Sequence, residues 1–428
     1  MFVADPLYGP FSVPDGITSL LAAPEVQRLR EVRLINTSTP NLAALSDVRR
    51  YAHTLGVLAL GLRLAPRLRQ EHTKEDVETF LAAVVLHDVG SPAFAHLFEY
   101  ILKSTGGWTH ESMLVHIIEG DYRPESIYHQ VYHGQGLRLK AILETMQIDP
   151  KSVVDMVMGV GPLGRLVAGS VDLDNIDNVY RMSVSLGFQP DIGAATSLAQ
   201  GLFPDETTLG VSQSALKHLH LWRKWRRKAY EILAFDEPTL QSQAMLTECF
   251  TAAIDAGLLG EEHWSLTDED ILKYLAGMRP KVKGVSSIVQ RFFVGDFFST
   301  VFVGWYRQPM GDVDLRAPEP RAELRARLEE RLRIPCVPYV FYDRGTFEKR
   351  LSLRIIGRDG WVPEEIGQTS VSTLAGVFTS RRHVKPVRWM QEKAIEVLEE
   401  FGLAPDRRSP IPSKRGVYEI AGQAELPF

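Results

Sequence analysis

Residues 82–96, AAVVLHDVGSPAFAH, place ionisable side chains at the end of an apolar run. The apolar residues that precede them recur at the three- and four-residue intervals of a core-facing helix: Val77, Phe80, Leu81, Val84 and Val85. His87 and Asp88 end this helix, and the Gly90-Ser91-Pro92 stretch that follows breaks regular helical geometry. Because of that break, an imidazole and a carboxylate from adjacent residues can reach the same ion. The segment therefore predicts a helical fold that carries a metal site.

Two other segments offer the remaining ligands of such a site. RRYAHTLGVLAL, residues 49–60, sets His53 on a second apolar helix, and GSVDLDNIDNVYR, residues 169–181, concentrates aspartates in an apolar stretch. A lone histidine on an apolar face is more often a hydrogen-bonded core residue. Together, however, His53, His87, Asp88 and one of these aspartates would form a site of two nitrogens and two oxygens. Such a site suits one divalent ion of Mn, Fe, Mg, Ni or Zn.

The pattern along the chain predicts a mainly α fold. Residues 23–305 read as mostly helical, with helical stretches at 55–64, 153–158 and 229–258. Residues 307–335 are rich in Pro, Arg and Glu, which indicates a connector with one solvated helix. Strand-like stretches follow at 337–344, 349–356 and 371–378, and an amphipathic helix at 386–401. We therefore expect a helical body over residues 1–310 and a small C-terminal α+β subdomain, with its connector helix, over residues 311–428.

Composition excludes several classes of protein. The formal net charge of -5 does not suit a polybasic chain, so stable nucleic-acid binding is not indicated. The N-terminus lacks a charged segment followed by an apolar one, and apolar runs such as LAAVVL are too short to span a bilayer. Cys249 and Cys336 form no CxxC motif, which argues against a thiolate metal site. These features predict a cytoplasmic protein without membrane attachment.

The order of the motifs resembles the HD-domain phosphohydrolases, and among them the dNTP triphosphohydrolases of the SAM-and-HD-domain and bacterial dGTP types. The likeness begins at DPLYGPFSV (5–13) and QRLREVRLI (27–35) and continues through RRYAHTLGV and LHDVGSPAFAHLFE. It extends to WTHE (108–111), DLDNIDNVYR and WRRKAYEI (225–232), so it covers most of the chain. The resemblance implies one divalent metal ion, a nucleotide substrate and assembly into a homo-oligomer.

Position by position, the resemblance implies a role for each matched residue. The metal ligands fall on His53, His87, Asp88 and Asp174. A histidine that assists at the scissile phosphate matches His110, and the acid that holds it matches Glu99, where the dNTP enzymes have Asp. Asp172 is better interpreted as a helix cap or bridge.

Phosphate contacts match Arg50, which carries a planar fork of donors, and His96. In HLHLWRKWRRKAYEI, residues 218–232, Arg223, Arg226 and Arg227 recur at helical spacing and could hold several phosphates. The alternative for this helix is a solvated basic face whose tryptophans turn to the core. Tyr230 matches a tyrosine that packs by the base.

Several positions depart from the pattern of the dNTP enzymes. Ser91 and Asn175 replace a histidine and a lysine of the phosphate site. The residues that read the sugar are replaced by Leu34, Asn178 and Met182. Because unpaired buried polar groups give such sites their selectivity, at roughly 1 to 3 kcal/mol each, we expect weaker discrimination between deoxyribose and ribose.

Metal-assisted phosphoester hydrolysis is the mechanism that this residue set favours. The leading hypothesis is a (d)NTP triphosphohydrolase that releases nucleoside and triphosphate, for control of nucleotide pools or for antiviral defence. An activating nucleotide that orders the pocket would fit the altered sugar contacts. Two alternatives stay open: an HD phosphohydrolase of another phosphorylated metabolite or signalling nucleotide, and a nucleotide-sensing regulatory protein with little turnover.

Overall fold

The computed structural model of the 428-residue chain describes residues 1–36, 39–103, 109–120, 122, 138–204, 209–277, 284–306, 313–344, 350–357, 360–367, 371–382, 384–385 and 387–403. Among these residues, no helix combines the length and the apolar character that crossing a bilayer requires. Both cysteines are buried and carry free thiols.

Helices dominate the described residues, and the predicted mainly α class is confirmed. The α-helices are α1 (Asp15–Leu21), α2 (Pro24–Gln27), α3 (Ala43–Ser46), α4 (Arg50–Glu71), α5 (Lys74–Leu86), α6 (His96–Lys103), α7 (His110–Glu119), α8 (Leu139–Thr145), α9 (Pro150–Val157), α10 (Gly164–Val167), α11 (Leu173–Ser185), α12 (Ile192–Gln200), α13 (Leu216–Phe235), α14 (Glu237–Asp255), α15 (Asp268–Gly277), α16 (Val285–Phe293), α17 (Pro318–Leu332) and α18 (Arg388–Glu400). Short 3₁₀ helices occupy Arg28–Glu31, Pro40–Leu42, Gln213–Ala215 and Glu261–His263.

The strands form three small sheets within the described residues. They are β1 (Phe2–Asp5), β2 (Gly9–Ser12), β3 (Leu202–Pro204), β4 (Leu209–Ser212), β5 (Ser299–Tyr306), β6 (Val337–Arg344), β7 (Leu351–Gly357), β8 (Gly360–Ile366) and β9 (Val371–Thr379). β1 and β2 pair as an antiparallel hairpin. The second sheet has the order β3-β4-β7-β8, with β4 and β7 parallel, and the third has the antiparallel order β5-β9-β6.

Helices α4, α5 and α11 position the polar centre of the helical body. α5 begins at a capping box between Thr73 and Asp76, and every residue from Thr79 to Leu86 is buried. A helix that is buried on all its faces lies inside a core rather than on its surface. α4 packs against both α5 and α11. The His-Asp pair at the end of α5 therefore lies in the protein interior.

The structure differs from the sequence prediction within residues 229–258. This stretch holds the end of one helix and the whole of a second, because the chain leaves α13 at Phe235 and starts α14 at Glu237. The carboxylate of Asp236 between them accepts the Thr239 N–H at 2.9 Å, and Pro238 occupies the first turn of α14. β5 is a second difference, since it lies in a region that reads as mostly helical.

The C-terminal region contains the predicted strands and terminal helix, together with β8, which the pattern did not indicate. The connector helix α17 is not fully solvated, because Leu324, Leu328 and Leu332 are buried in a second apolar cluster with β5, β9 and α18. β4 pairs with β7 and β5 pairs with β9, so strands from both sides of residue 310 share sheets. The division of the chain at that residue stays a prediction.

Candidate metal centre and its cavity

Three predicted metal ligands meet where α4 passes the end of α5. His53, His87 and Asp88 each place one donor atom within 4.8 Å of the others. The predicted fourth ligand, Asp174, lies in the first turn of α11, and its Oδ1 is 2.9 Å from His53 Nε2. We call these four residues the candidate metal cluster. The structure thus brings together residues that are far apart along the chain, and their binding of a metal stays a prediction.

Hydrogen bonds fix which ring nitrogens face the middle of the candidate metal cluster. His87 Nδ1 donates to the Val84 carbonyl at 2.8 Å, which leaves Nε2 directed at His53 Nε2, 3.3 Å away. His53 Nδ1 lies 2.7 Å from Asp177 Oδ2, and Arg181 donates to both carboxylate oxygens of Asp177. A carboxylate behind a histidine fixes the tautomer and orientation of a metal ligand.

Space for Asp177 and Arg181 comes from Gly56 of α4. A Cβ at this position would stand 2.0 Å from Asp177 Oδ1 and 2.2 Å from Arg181 Nη2. Any side chain at residue 56 would therefore displace the pair that holds His53.

The carboxylates around His53 favour a positive charge in the candidate metal cluster. Burial opposes a charge on His53, but hydrogen bonds with Asp174 and Asp177 raise its pKa to about 10. Burial likewise opposes the charge on Asp88, yet Arg50 and the two histidines hold its pKa well below the usual range. Asp88 Oδ2 is buried without a hydrogen-bond partner among the described residues, so one ligand oxygen is available.

The spacing of the donor atoms fits a bound ion. Two ring nitrogens about 2.1 Å from a tetrahedral ion would stand about 3.4 Å apart, close to the 3.3 Å between the two Nε2 atoms. Asp88 Oδ2 lies 3.5 Å from His87 Nε2 and 3.9 Å from His53 Nε2. The donor set, its spacing and the unpartnered oxygen are together compatible with a divalent metal.

Asp172, by contrast, has a structural role, as the sequence predicts. Its carboxylate caps α11 by accepting the Asn175 N–H at 2.7 Å and also accepts the Gly169 N–H at 2.8 Å. The side-chain amide of Asn175 donates to the same carboxylate. Of the two acids in DLD, Asp172 therefore caps the helix terminus, and Asp174 belongs to the candidate metal cluster.

Distant side chains hold the loop that follows Asp88. Arg28 donates to the carbonyl of Val89 at 3.2 Å and also to that of Ser91, and Trp264 Nε1 donates to the Gly90 carbonyl at 2.7 Å. A Cβ at residue 90 would stand 2.1 Å from the His110 carbonyl oxygen. Glycine is therefore required where the loop touches the start of α7.

The chain then passes through two residues in the left-handed region, Phe94 at φ 53° and Ala95 at φ 50°. This conformation is strained for residues with a side chain. Asp268 holds the turn, because its fully buried carboxylate accepts the Phe94 N–H at 2.7 Å and pairs with Arg33 at 3.0 Å. Sequence reasoning missed Arg28, Trp264 and Asp268, since no local pattern marks a residue whose partner lies far along the chain.

The predicted catalytic pair is formed at the start of α7. His110 Nδ1 lies 2.9 Å from Glu99 Oε1, and the same oxygen accepts the His110 backbone N–H at 3.0 Å. Burial lowers the pKa of His110, but the hydrogen bond and charge of Glu99 outweigh burial, and the net shift is upward. The longer arm of glutamate thus reaches the imidazole and favours its cationic, proton-donating form.

Of the predicted phosphate contacts, Arg50 and Arg226 line the cavity beside the candidate metal cluster. Arg50 donates to Asp88 Oδ1, which also accepts the Ser91 hydroxyl proton at 3.1 Å. Arg226 Nη1 lies 3.5 Å from Asn175 Oδ1, and its guanidinium carbon is 4.7 Å from the centre of the Tyr230 ring. The side chain of His96 lies outside the described part of the structure.

The other two arginines of α13 are not among the residues that line the cavity. Arg227 is exposed and pairs with Glu231 at 2.8 Å, and Arg223 is half-buried. Trp222 is buried, and its Nε1 donates to the Asn175 carbonyl at 3.1 Å. The helix therefore combines the two interpretations of its sequence, with one arginine at the cavity and one in a solvated ion pair.

Of the four residues predicted near the base and sugar, three line the cavity and one does not. Leu34, Asn178 and Tyr230 line the cavity. Asn178 Oδ1 is buried with no hydrogen-bond partner in the part of the chain that the structure describes. Met182 is fully buried in a small apolar cluster with Leu45 and is not a cavity residue. Leu34 and Asn178 thus present one apolar side chain and one unpartnered polar atom among the described cavity residues, and their part in reading the sugar stays a prediction.

The cavity itself measures about 1080 Å³ and reaches from the helical body to the C-terminal strands. Its wall includes four residues of the helical body, His87, Asp88, Asp174 and His110. It also includes side chains that sequence reasoning did not connect with the site: Tyr100, Trp305, Arg316, Phe341 and Tyr342. We call this second set the aromatic wall.

Comparisons with known proteins agree with this architecture. The HD domain family matches residues 50–149, a range that contains His53, His87, Asp88, Glu99 and His110. The chain is 22% identical to the uncharacterized protein YwfO of Bacillus subtilis over 404 residues, which cover 86% of this chain and 87% of that protein. It is therefore similar to YwfO over nearly the whole length of both chains.

One further relative and one solved structure carry a described activity in their names. A deoxynucleoside triphosphate triphosphohydrolase SAMHD1 homologue of Dictyostelium discoideum is 24% identical over 196 residues, which cover 43% of this chain and 36% of that protein. The crystal structure of a phosphohydrolase of Bacteroides thetaiotaomicron superposes with a TM-score of 0.64 at 16% identity, covering 89% of this chain and 100% of that one. The structural likeness shows a shared fold.

Proposed function

We propose that this chain, an HD-domain phosphohydrolase related to the deoxynucleoside triphosphate triphosphohydrolases, hydrolyses a nucleoside triphosphate at its α-phosphorus and releases nucleoside and triphosphate. One observation carries the proposal: His87, Asp88 and Asp174 line the same cavity as His110. A metal site and a proton donor at one cavity are the parts that hydrolysis of a phosphoester needs.

The candidate metal cluster would hold one divalent ion through His53, His87, Asp88 and Asp174. When bound, such an ion polarises a phosphoryl oxygen and lowers the pKa of a coordinated water. The rest of the centre orients these ligands. Asp177 accepts the proton of His53 Nδ1, and the Val84 carbonyl accepts that of His87 Nδ1, so both histidines direct Nε2 toward the middle of the candidate metal cluster.

His110 is the proposed general acid. Water adds its oxygen to the α-phosphorus, the bond from phosphorus to the 5′ oxygen breaks, and His110 gives its proton to that oxygen as the nucleoside leaves. Glu99 keeps the imidazole protonated before the step, which agrees with the raised pKa of His110. The attacking water loses one proton to solvent and His110 regains one from solvent, so atoms and charge balance over the cycle.

Phosphate binding is assigned to Arg50 and Arg226. Arg50 Nε is buried with no partner among the described residues, and so is Arg226 Nε, which leaves donors for phosphate oxygens. Arg226 reaches Asn175, the residue that replaces a phosphate-contacting lysine of the dNTP enzymes, so it supplies a cation near that position. His96, Arg223 and Arg227 stay predicted phosphate contacts.

A second candidate is hydrolysis of another phosphorylated metabolite or signalling nucleotide. It is favoured by the sugar side of the cavity, where Leu34 is apolar and Met182 is buried away from the cavity. The homo-oligomer, an activating nucleotide and a part in pool control or antiviral defence are further predictions from the resemblance.

A screen of nucleotides tests the proposal directly. The chain is supplied in turn with Mn, Fe, Mg, Ni or Zn, and the products from each dNTP and NTP are separated by chromatography. The proposal predicts nucleoside and triphosphate in equal amounts with at least one metal, and neither product from the H87A/D88A chain. Hydrolysis of other phosphoesters, with every nucleoside triphosphate left intact under all five metals, would favour the second candidate instead.

A further inference from the structure

One carboxylate links the N-terminal hairpin to α11, the helix that carries Asp174. Asp5 ends β1, and its Oδ1 accepts the backbone N–H groups of Leu7 at 2.8 Å and Tyr8 at 3.0 Å. Its Oδ2 accepts a hydrogen bond from Arg181 Nη2 at 3.0 Å. One oxygen of Asp5 therefore closes the turn of the hairpin, and the other is bound to a cation of α11.

Arg181 also binds Asp177, the residue behind His53. Its Nε donates to Asp177 Oδ2 at 2.8 Å, and its Nη2 donates to Asp177 Oδ1 at 2.9 Å. Asp177 Oδ2 in turn lies 2.7 Å from His53 Nδ1. We call Asp5, Arg181 and Asp177 the buried ionic chain. It joins the turn of the hairpin to a predicted metal ligand through contacts of 3.0 Å or less.

The buried ionic chain is shielded from water and carries a surplus of negative charge. Asp5 is 6% exposed, Arg181 is 3% exposed and Asp177 is fully buried. Charges in such a place act on one another more strongly than charges at the surface. Arg181 and Asp177 alone would form a neutral pair, so the surplus negative charge comes from Asp5. A negative group behind a histidine makes its other ring nitrogen a better ligand for a cation.

We propose that Asp5 is a positioning residue that raises the affinity of the candidate metal cluster for a divalent cation, acting through Arg181 and Asp177. This inference rests on the proposed function only in that it takes the cluster as a metal site. Arg181 Nη2 is shared between Asp5 and Asp177, so without the charge of Asp5 the guanidinium draws Asp177 toward itself. The bond from Asp177 to His53 then weakens, and His53 becomes a poorer ligand.

Asp5→Asn separates the charge of Asp5 from its part in the turn. The amide oxygen still accepts the two backbone N–H groups, but the negative charge that faces Arg181 is lost. Mn²⁺ binding to the full chain is measured by electron paramagnetic resonance of the free ion, which needs no substrate. The dissociation constant should rise roughly fivefold, less than the tenfold to 100-fold typical of a residue that contacts a metal ligand directly. Asp5→Glu keeps the charge and should bind Mn²⁺ more tightly than Asp5→Asn.

Arg63→Met is the matched control for loosening of the hairpin. Arg63 of α4 donates to the Tyr8 carbonyl at 2.7 Å and to the Thr196 hydroxyl at 3.1 Å. Within the described residues, it shares no hydrogen bond with the buried ionic chain. The substitution should therefore leave the Mn²⁺ dissociation constant unchanged. An equal rise in Arg63→Met and Asp5→Asn would show that the hairpin acts by stability alone and would overturn the positioning role.

A double variant tests whether Asp5 acts through Asp177. Asp177→Asn alone should raise the Mn²⁺ dissociation constant by roughly tenfold to 100-fold. Adding Asp5→Asn to it should cause little further loss, because two residues that act through one contact do not have additive effects. Fully additive losses would overturn the proposed route, and an unchanged dissociation constant in Asp5→Asn would overturn the role of Asp5 itself.

Hydrolysis by the same preparations distinguishes this inference from the proposed function. The Mn²⁺ concentration for half activation of Asp5→Asn should rise with the dissociation constant, while kcat at saturating Mn²⁺ should match that of the unchanged chain. A lower kcat at saturating Mn²⁺ with an unchanged dissociation constant would overturn the inference. Absence of nucleotide hydrolysis, together with Mn²⁺ binding that depends on Asp5, would reject the proposed reaction and support the positioning role.

Discussion

The candidate metal cluster and the aromatic wall border one cavity, yet the fold holds them very differently. His53 is almost fully buried, and both its ring nitrogens face carboxylates. In the aromatic wall, Tyr100 and Phe341 keep more than a third of their surface exposed. The first region is fixed by hydrogen bonds, and the second has two partly exposed rings.

This difference is compatible with different roles for the two regions of the cavity. A reacting phosphorus needs ligands and a proton donor held in one geometry, because small displacements cost large factors in rate. Substitutions in the candidate metal cluster should therefore act on the chemical step, and those in the aromatic wall on substrate affinity.

The largest effect is expected from replacing His87 and Asp88 together with Ala. The double substitution removes two of the four proposed ligands, so bound metal should fall to background and turnover should drop roughly 1000-fold or more. Metal content by elemental analysis, with circular dichroism to confirm a folded chain, checks this outcome. Stoichiometric metal bound to the double variant would contradict the assignment of His87 and Asp88 as metal ligands.

His110→Ala should come next, with turnover reduced by roughly 100-fold or more. The metal should stay bound, because His110 is not a member of the candidate metal cluster. Steady-state kinetics and metal content on the same sample separate the two effects. Unchanged turnover would return His110 to a structural role at the start of α7.

Glu99→Gln should change the pH dependence of the reaction. The carboxylate raises the pKa of His110, so its removal lowers that pKa and the acid loses its proton at lower pH. The alkaline limb of the kcat profile should therefore move to lower pH. Glu111→Gln, at a carboxylate 3.3 Å from His110 Nε2, is the matched control and should move the limb less. If the alkaline limb of the kcat profile stays in place in Glu99→Gln, Glu99 does not contribute to acid catalysis.

Asp268→Asn tests whether the left-handed turn positions the site. Loss of the carboxylate weakens the bond from Phe94 and leaves Arg33 without its buried partner, so turnover should fall roughly tenfold with metal retained. The free energy of unfolding should fall by about 3 kcal/mol, measured by denaturant titration. Glu269→Gln also removes a partner of Arg33 but does not contact Phe94, and should leave turnover nearly unchanged. Equal turnover in both variants would contradict the positioning role.

The smallest effect is expected in the discrimination between deoxyribose and ribose. With Leu34 apolar and Asn178 the polar group nearby, matched dNTP and NTP pairs should differ in kcat/KM by far less than several orders of magnitude, with or without a second nucleotide. Asn178→Leu should reduce even this difference. A preference for dNTPs of several orders of magnitude under every condition would mean that other residues read the sugar.

Much of the body was predictable because its signals are local. The apolar periodicity before His87 predicts α5, and the order of the motifs predicts which residues join it at the candidate metal cluster. The cap formed by Asp172 was predictable too, since an acid before a helix commonly accepts its first N–H groups.

What escaped prediction depends on contacts between distant segments. Asp268 is 174 residues from Phe94, and no periodicity in either segment indicates the bond between them. The aromatic wall arises because α6, β5 and β6 meet at one cavity, which follows from tertiary packing rather than from any local pattern. From sequence alone, aromatic residues in strands are predicted only to be core residues.

Hydrolysis of a deoxynucleoside triphosphate in water enriched with heavy oxygen tests the central claim most directly. Attack by water on the α-phosphorus predicts one labelled oxygen in the released triphosphate and none in the nucleoside, with both products formed in equal amounts and only by the metal-loaded chain. Label in the nucleoside hydroxyl, or release of orthophosphate or pyrophosphate in place of triphosphate, would contradict the proposed reaction.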